Sequence, residues 1–271
     1  MPLLSGFKYN QPANKMDYPF NLDFLDYLSE IEFKSNVTLL VGENGSGKST
    51  LLEGLGAKLN LPNLGEESIA TDPSLAKARE FSQYLKLIWH DRIIKNGFFF
   101  RAEDYFNYLK RINRLNFELE QERKAVKLQL QEQGASDYAI SLATGSLHSQ
   151  RQALISAHGS DADARSHGEG FLHLFKSRLR SSCIYLLDEP EAALSPMRQL
   201  ALIKILLDAQ EDDNQFIIAT HSPILMAFPY AQILELHDQG IEEKEFQDLE
   251  HVKFTKMFLE NPQAFLRHLK N

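Results

Sequence analysis

Between positions 42 and 50 the chain reads GENGSGKST, which satisfies the spacing G-x-x-x-x-G-K-[ST] with Gly42, Gly47, Lys48 and Ser49 at its fixed positions. Glycines there let the backbone turn tightly, so that successive N–H groups across Glu43, Asn44, Gly45 and Ser46 converge on one anion. The ammonium of Lys48 suits the β and γ phosphates of a nucleoside triphosphate, and the hydroxyl of Ser49 suits Mg²⁺. Thr50 closes the stretch as it enters a helix whose N-terminal dipole favours the same negative charge. ATP with Mg²⁺ is the ligand pair that this chemistry implies.

A second group of reactive side chains follows the apolar run CIYLL (183–187), after which Asp188 and Glu189 stand directly. Carboxylates at the C-terminal end of a buried strand meet a nucleotide bound beside that strand. Asp188 then holds Mg²⁺ directly or through water, as hard oxygen ligands do. Glu189 is placed to act as general base on the attacking water. Alone, D-E-P reads equally well as a solvated turn, and the phosphate loop upstream decides for chemistry. His221, in ATHSP beyond the run QFIIAT (215–220), sits where a neutral imidazole N–H reaches the γ-phosphate and the water; an isolated strand-end histidine is more often simply packed. The stretch SHGEG at 166–170 joins a hydroxyl to glycines ahead of the helical segment FLHLFKSRL. Ser166, Gly168 and Glu169 are therefore candidates for a further anion contact at a helix start, against the plainer reading of a loop entering a helix.

These residues need elements to hold them. The run IEFKSNVTLLV (31–41) reads as two short strands, the second apolar throughout, as a strand buried on both faces requires. Strand, glycine loop and helix then come in the order of a phosphate-binding unit. The last third alternates in the same way: strands at 183–187, 215–220 and 232–236, a helix at 196–209 with Ser195 as N-cap and Pro196 at its first position, a short helix at 223–228 and a helical tail from 253. This predicts an α/β fold, with a mainly parallel sheet flanked by helices. From Asp104 to about Gln133 the chain is charged and helix-prone, and Phe106, Leu109, Ile112, Leu115 and Leu119 recur at helical spacing. Residues 134–170, richer in Ser, Gly, Ala and His, read as loops or short elements. The expectation is a single domain over 1–271, with a core of about 1–74 and 181–271 and an inserted helical lobe of about 75–180.

Composition narrows the class. The chain has 271 residues, 43% hydrophobic and 24% charged, with a net charge of −8 and the lone cysteine Cys183. An internal disulfide is excluded, and one cysteine builds no zinc site. No apolar run reaches bilayer-spanning length, and MPLLSGF lacks a secretory lead, so a cytoplasmic protein without direct membrane insertion is expected. The acidic balance leaves room only for a local basic patch.

In order and spacing these residues resemble the ABC-class P-loop ATPases over roughly 30–60 and 165–236. The loop at 42–50 is similar to Walker A, Asp188 and Glu189 to Walker B with its catalytic glutamate, SHGEG to a variant of the signature LSGGQ, and His221 to the switch histidine. DEPEAALSP with SHGEGF looks most like stand-alone ABC/SMC-like ATPases. The resemblance implies an ATP-dependent head-to-tail homodimer, with Ser166, Gly168 and Glu169 of one copy facing the phosphate held by Lys48 of the other. It implies ATP hydrolysis, with Lys48, Glu189 and His221 as catalytic residues, driving closure and opening of a switch that acts on nucleic acid or a partner protein in DNA maintenance or defence. The alternatives are the nucleotide-binding subunit of a membrane transporter and a module that closes on ATP with little turnover. Arg165, His167 and Glu169 depart from the family signature, and Ser195 stands where the family has aspartate. Two positions stay open: the family's Q-loop glutamine, with Gln83 and the end of GFFFRAE (97–103) both considered, and the adenine-stacking aromatic, with Tyr18, Phe20 and Phe24 equally plausible as core.

Overall fold

The computed structural model describes residues 1–63, 72–158 and 167–267. In chain order the strands are β1 (Leu4–Tyr9), β2 (Glu30–Glu32), β3 (Val37–Gly42), β4 (Leu85–Trp89), β5 (Gly97–Arg101), β6 (Ile184–Asp188), β7 (Gln215–Ala219), β8 (Gln232–His237) and β9 (Gly240–Glu243). The helices are α1 (Lys48–Leu59), α2 (Ala76–Ser82), α3 (Ala102–Glu132), α4 (Asp137–His158), α5 (His167–Arg178), α6 (Pro196–Gln210), α7 (Pro223–Met226), α8 (Glu250–Glu260) and α9 (Pro262–Leu266).

Two compact units result, one of residues 1–102 and 179–271, the other of 103–178. The larger unit holds a six-stranded sheet in the order β5-β6-β7-β3-β8-β9. All neighbours are parallel except the terminal pair β8 and β9. Strands β3, β6 and β7 are mainly apolar and almost wholly buried, which is why they read as near-continuous runs rather than alternating ones. The mixed α/β architecture with a mainly parallel sheet is the expected one.

A second, antiparallel sheet, β2-β1-β4, was not expected. It joins the main sheet partly through Gln215, whose side chain accepts from Leu4 N at 2.8 Å and donates to Leu4 O at 3.0 Å, a side-chain imitation of strand pairing. Residues 75–102, assigned from sequence to the helical lobe, lie in the larger unit because β4 and β5 pair with its sheets.

The smaller unit is helical. After α3, Gly134 takes a left-handed conformation (φ 72°) that lets Ala135 N reach Leu130 O at 3.0 Å. Ser136 then caps the next helix, its Oγ accepting from Ala139 N at 3.3 Å. Residues 137–158 thus form one long helix where the sequence suggested loops or short elements. Tyr105 of α3 meets Phe171 of α5 edge-on, with ring centroids 5.5 Å apart.

Candidate active site

The register of the parallel sheet sets the site. Leu40 of β3 and Asp188 of β6 both pair with Ala219 of β7, so β6 and β7 end abreast and β3 runs on to Gly42 at the same edge. The segments that leave them carry the glycine loop, Glu189 and His221. Ligands of open α/β sheets bind at this carboxyl edge.

Helix α1 starts at Lys48 with no side-chain cap; its N-cap, Gly47, is left-handed (φ 95°). A Cβ on Gly47 would come within 2.4 Å of a Phe24 ring carbon, so both the conformation and the contact require glycine. The uncapped N–H groups of the first turn are free for an anion. Lys48 curls back over the loop, its Nζ donating to Gly42 O at 3.0 Å and Glu43 O at 2.7 Å. Burial holds its pKa below the usual lysine value, although Glu189, Asp188 and Glu191 act in the opposite sense. Glu43, Asn44 and Gly45 are exposed at the loop's tip, whereas Ser46 and Ser49 are half-buried and Thr50 is buried.

Ser49 Oγ donates to Asp188 Oδ1 at 3.0 Å, which ties the start of α1 to the end of β6. Loss of water around Asp188 raises its pKa to about 7; the Ser49 bond opposes this, Glu189 and Glu53 add to it, and Arg101 opposes it. A carboxylate so reluctant to ionise gains most from a cation beside it. Among the described residues, no group of three or more His, Cys, Asp or Glu side chains is arranged to hold a metal. One hydroxyl and one carboxylate completed by phosphate oxygens is the donor set Mg²⁺ favours, so the residues present fit that ion.

Glu189 is left-handed (φ 48°, ψ 52°), a conformation costing a non-glycine residue roughly 1–2 kcal/mol. It is held there by its N–H, which donates to Ala219 O at 3.0 Å, and by Pro190 opening the following 3-10 turn. Its carboxylate stays about half exposed, and Oε1 lies 3.5 Å from His221 Nε2. Burial and the charge of Lys48 lower the His221 pKa against the pull of Glu189, so the imidazole is neutral at pH 7. The contact is therefore a polar pair rather than an ion pair.

Lys48, Ser49, Asp188, Glu189 and His221 are thus brought to one edge of the larger unit. Gly168 and Glu169 lie in the first turn of α5 in the other unit, Gly168 buried and Glu169 exposed. Ser166 lies outside the described residues. The three aromatic candidates separate: Phe20 packs on Tyr84 and Phe81, and Phe24 is buried against Gly47, so both are core. Tyr18 is exposed, and its hydroxyl lies 2.9 Å from Thr50 Oγ1. Gln83 caps α2 and leads into the antiparallel sheet, whereas the residue abreast of Asp188 on the neighbouring strand is Arg101.

Several charged residues were not singled out from sequence. Arg101 is buried and pairs with Asp72 at 3.1 Å and Glu53 at 3.4 Å. Glu191 Oε1 accepts from Thr220 Oγ1 at 2.7 Å, His221 N at 2.6 Å and Ser222 N at 3.1 Å. The only sequence signal for Glu191 is its place in D-E-P-E; for Arg101 there is none, because its neighbours come from sheet order.

Comparisons with known proteins follow this geometry. A family model described as AAA ATPase domain matches residues 71–226, a span that includes Asp188, Glu189, Glu191 and His221 and lies after the glycine loop. No curated protein sequence matches. Among solved structures, the chain is similar to an Smc head domain bound to the C-terminal domain of ScpA from Pyrococcus furiosus, at 12% identity and a TM-score of 0.43, covering 97% of this chain and 100% of that one. It is also similar to a dimeric bacterial ABC transporter cassette, at 17% identity and a TM-score of 0.42, covering 91% and 99%. The family match extends over more than half of the chain, which therefore belongs to the AAA ATPase domain family and is an ATP-hydrolysing enzyme of P-loop NTPase fold.

Proposed function

We propose that the chain is an ABC-type switch ATPase whose site is closed by a second copy of itself. The loop at 42–50 wraps the phosphates and Lys48 leaves its carbonyl partners to meet the β and γ oxygens. Ser49 and Asp188 would hold Mg²⁺, which would offset the phosphate charge. Glu189 takes the proton from the attacking water, and the neutral His221 donates an N–H towards the γ-phosphate. Tyr18, the exposed aromatic beside Thr50, is the best placed of the three to stack on adenine. Gly168 and Glu169, with Ser166, complete the site from the second copy, so that ATP closes the dimer and hydrolysis opens it.

The single observation that carries this reading is the strand register that brings the ends of β3, β6 and β7 to one edge, with Ser49 bonded to Asp188. Closure would then act on a nucleic acid or protein partner. Within the helical unit, Glu118 and Glu120 already engage Arg114, Arg123, Lys124 and Arg151, which favours a solvated charged face over a bare phosphate-binding stripe. No helix among the described residues is long and apolar enough to cross a membrane.

The test is the Mg²⁺-dependent ATPase rate per mole of chain, measured against protein concentration with and without DNA, RNA and membrane fractions. A shared site predicts a specific rate that climbs with concentration through the dimerisation range; a flat rate across it would overturn the dimer. Stimulation by nucleic acid selects that partner class, and stimulation by membrane fractions alone selects the transporter alternative.

A further inference from the structure

The residue two positions beyond the general base has a different task from it. Glu189 and Glu191 flank Pro190, and the left-handed turn at Glu189 sends their carboxylates in different directions. Glu189 stays half exposed towards His221, whereas Glu191 turns inwards, with Oε2 buried and unbonded among the described residues. Its other oxygen receives the Thr220 hydroxyl and the backbone N–H groups of His221 and Ser222, three donors on one acceptor.

We propose that Glu191 is a positioning residue for ATP hydrolysis, a clamp that fixes the backbone of 220–222 and so holds the His221 ring opposite Glu189. This rests on the reading of His221 as a catalytic group. The clamp is braced from both sides. Thr220 Oγ1 also accepts from Ser222 N at 3.0 Å, so hydroxyl and carboxylate share the turn. Ser222 Oγ caps α7 by accepting from Ile224 N at 3.1 Å and Leu225 N at 3.3 Å, and it donates to Gln199 of α6. Gln199 in turn donates to Leu194 O at 3.2 Å, which closes the circuit on the segment that begins at Glu189. The exits of β6 and β7 are thus bound to each other by side chains as well as by the backbone bond from Glu189 N to Ala219 O.

A neutral acceptor would meet three donors less strongly than a carboxylate, since charge-assisted bonds are shorter and stronger. Length matters as much, because the backbone N–H of His221 must be reached from a turn on the neighbouring strand. A side chain that is one methylene shorter leaves both N–H groups short of their acceptor.

The experiment measures kcat and KM for MgATP in the full chain carrying E191A, E191Q, E191D, H221A and the double variants with H221A. E191A and E191D are expected to lower kcat roughly 10- to 100-fold, with KM and nucleotide affinity within about twofold of the parent. E191Q, which keeps an oxygen at the same reach, recovers kcat to within about fivefold of the parent. Because the clamp acts through His221, adding E191D to H221A costs little beyond H221A alone. The proposal is overturned if E191D keeps the parent kcat while H221A loses it, or if the two losses multiply in the double variant. An H221A protein with parental kcat would instead overturn the catalytic reading of His221, and the clamp with it. Should E191A not fold, E191D retains charge and polarity at the site and carries the comparison.

Discussion

Without Mg²⁺ the Asp188 carboxyl titrates at about 7 rather than at its ordinary 3.8, because it has lost water and faces Glu189 and Glu53. Between those two values the folded protein keeps a proton that the unfolded chain has released. Stability therefore falls as pH rises from about 4 to about 7, and levels off above that. Asp188→Asn removes the charge and keeps an acceptor for Ser49. In EDTA it should melt above the parent at pH 8, by on the order of 2–4 °C for each kcal/mol recovered, and the gap should close towards pH 4. A gap of equal size at both pH values would show that Asp188 does not titrate in this way. The same variant should lose Mg²⁺-dependent turnover, so that stability and activity move in opposite directions, as expected of a strained functional group. Glu189→Gln separates chemistry from binding: kcat should fall roughly 10²–10⁴-fold while nucleotide affinity is retained. Equal loss of both would make Glu189 a binding residue.

Among the elements, α1 has to bring its N-terminus to the phosphates while lying close to α2. Gly54 makes that approach possible. A Cβ there would lie 2.3 Å from Phe81 Cδ1 and 2.8 Å from its Cε1, and Phe81 is fully buried. In an open helix, Gly→Ala gains about 1 kcal/mol. Here overpacking outweighs the gain, and Gly54→Ala should destabilise the protein by about 1–3 kcal/mol, seen as a lower denaturation midpoint at unchanged slope. A raised midpoint would mean that α2 shifts freely. The elements also show what a sequence can reveal. Strands β3, β6, β7 and β8 and the helix α3 are legible because burial on both faces, or on one stripe, is written into local apolar spacing. Helix α4 is not, because its buried contact is confined largely to Ile140 while Gly145 and several serines lower the helical signal. The antiparallel sheet is missed because β1, β2 and β4 come from distant stretches: β2 reads as a strand, but its pairing with β1, and that of β1 with β4, is tertiary. At the site, the loop, Asp188, Glu189 and His221 stand out by type and order. Glu191 and Arg101 do not, since their partners are supplied by strand order and by turns on other strands.

For the whole molecule, the chain divides into two compact units, and the shared site proposed above would draw residues from each. The phosphate loop and both acidic residues belong to the larger unit, and Gly168 and Glu169 to the helical one. If each ATP lies between two copies, Lys48→Ala and Gly168→Asp damage opposite halves of a site. The first removes the phosphate's counter-charge, and the second puts a carboxylate where the phosphate is expected. Each variant alone should be almost inactive, since every homodimeric site contains the damage. In a mixture, the heterodimer has one site with both defects and one with neither. Turnover should therefore reappear on mixing, rising towards about a quarter of the parent's rate at equal amounts if subunits exchange freely and sites act independently. Recovery should vanish if one variant carries both substitutions. No recovery, with subunit exchange verified by a fluorescence-labelled copy, would mean that Lys48 and Gly168 serve the same ATP from within one chain.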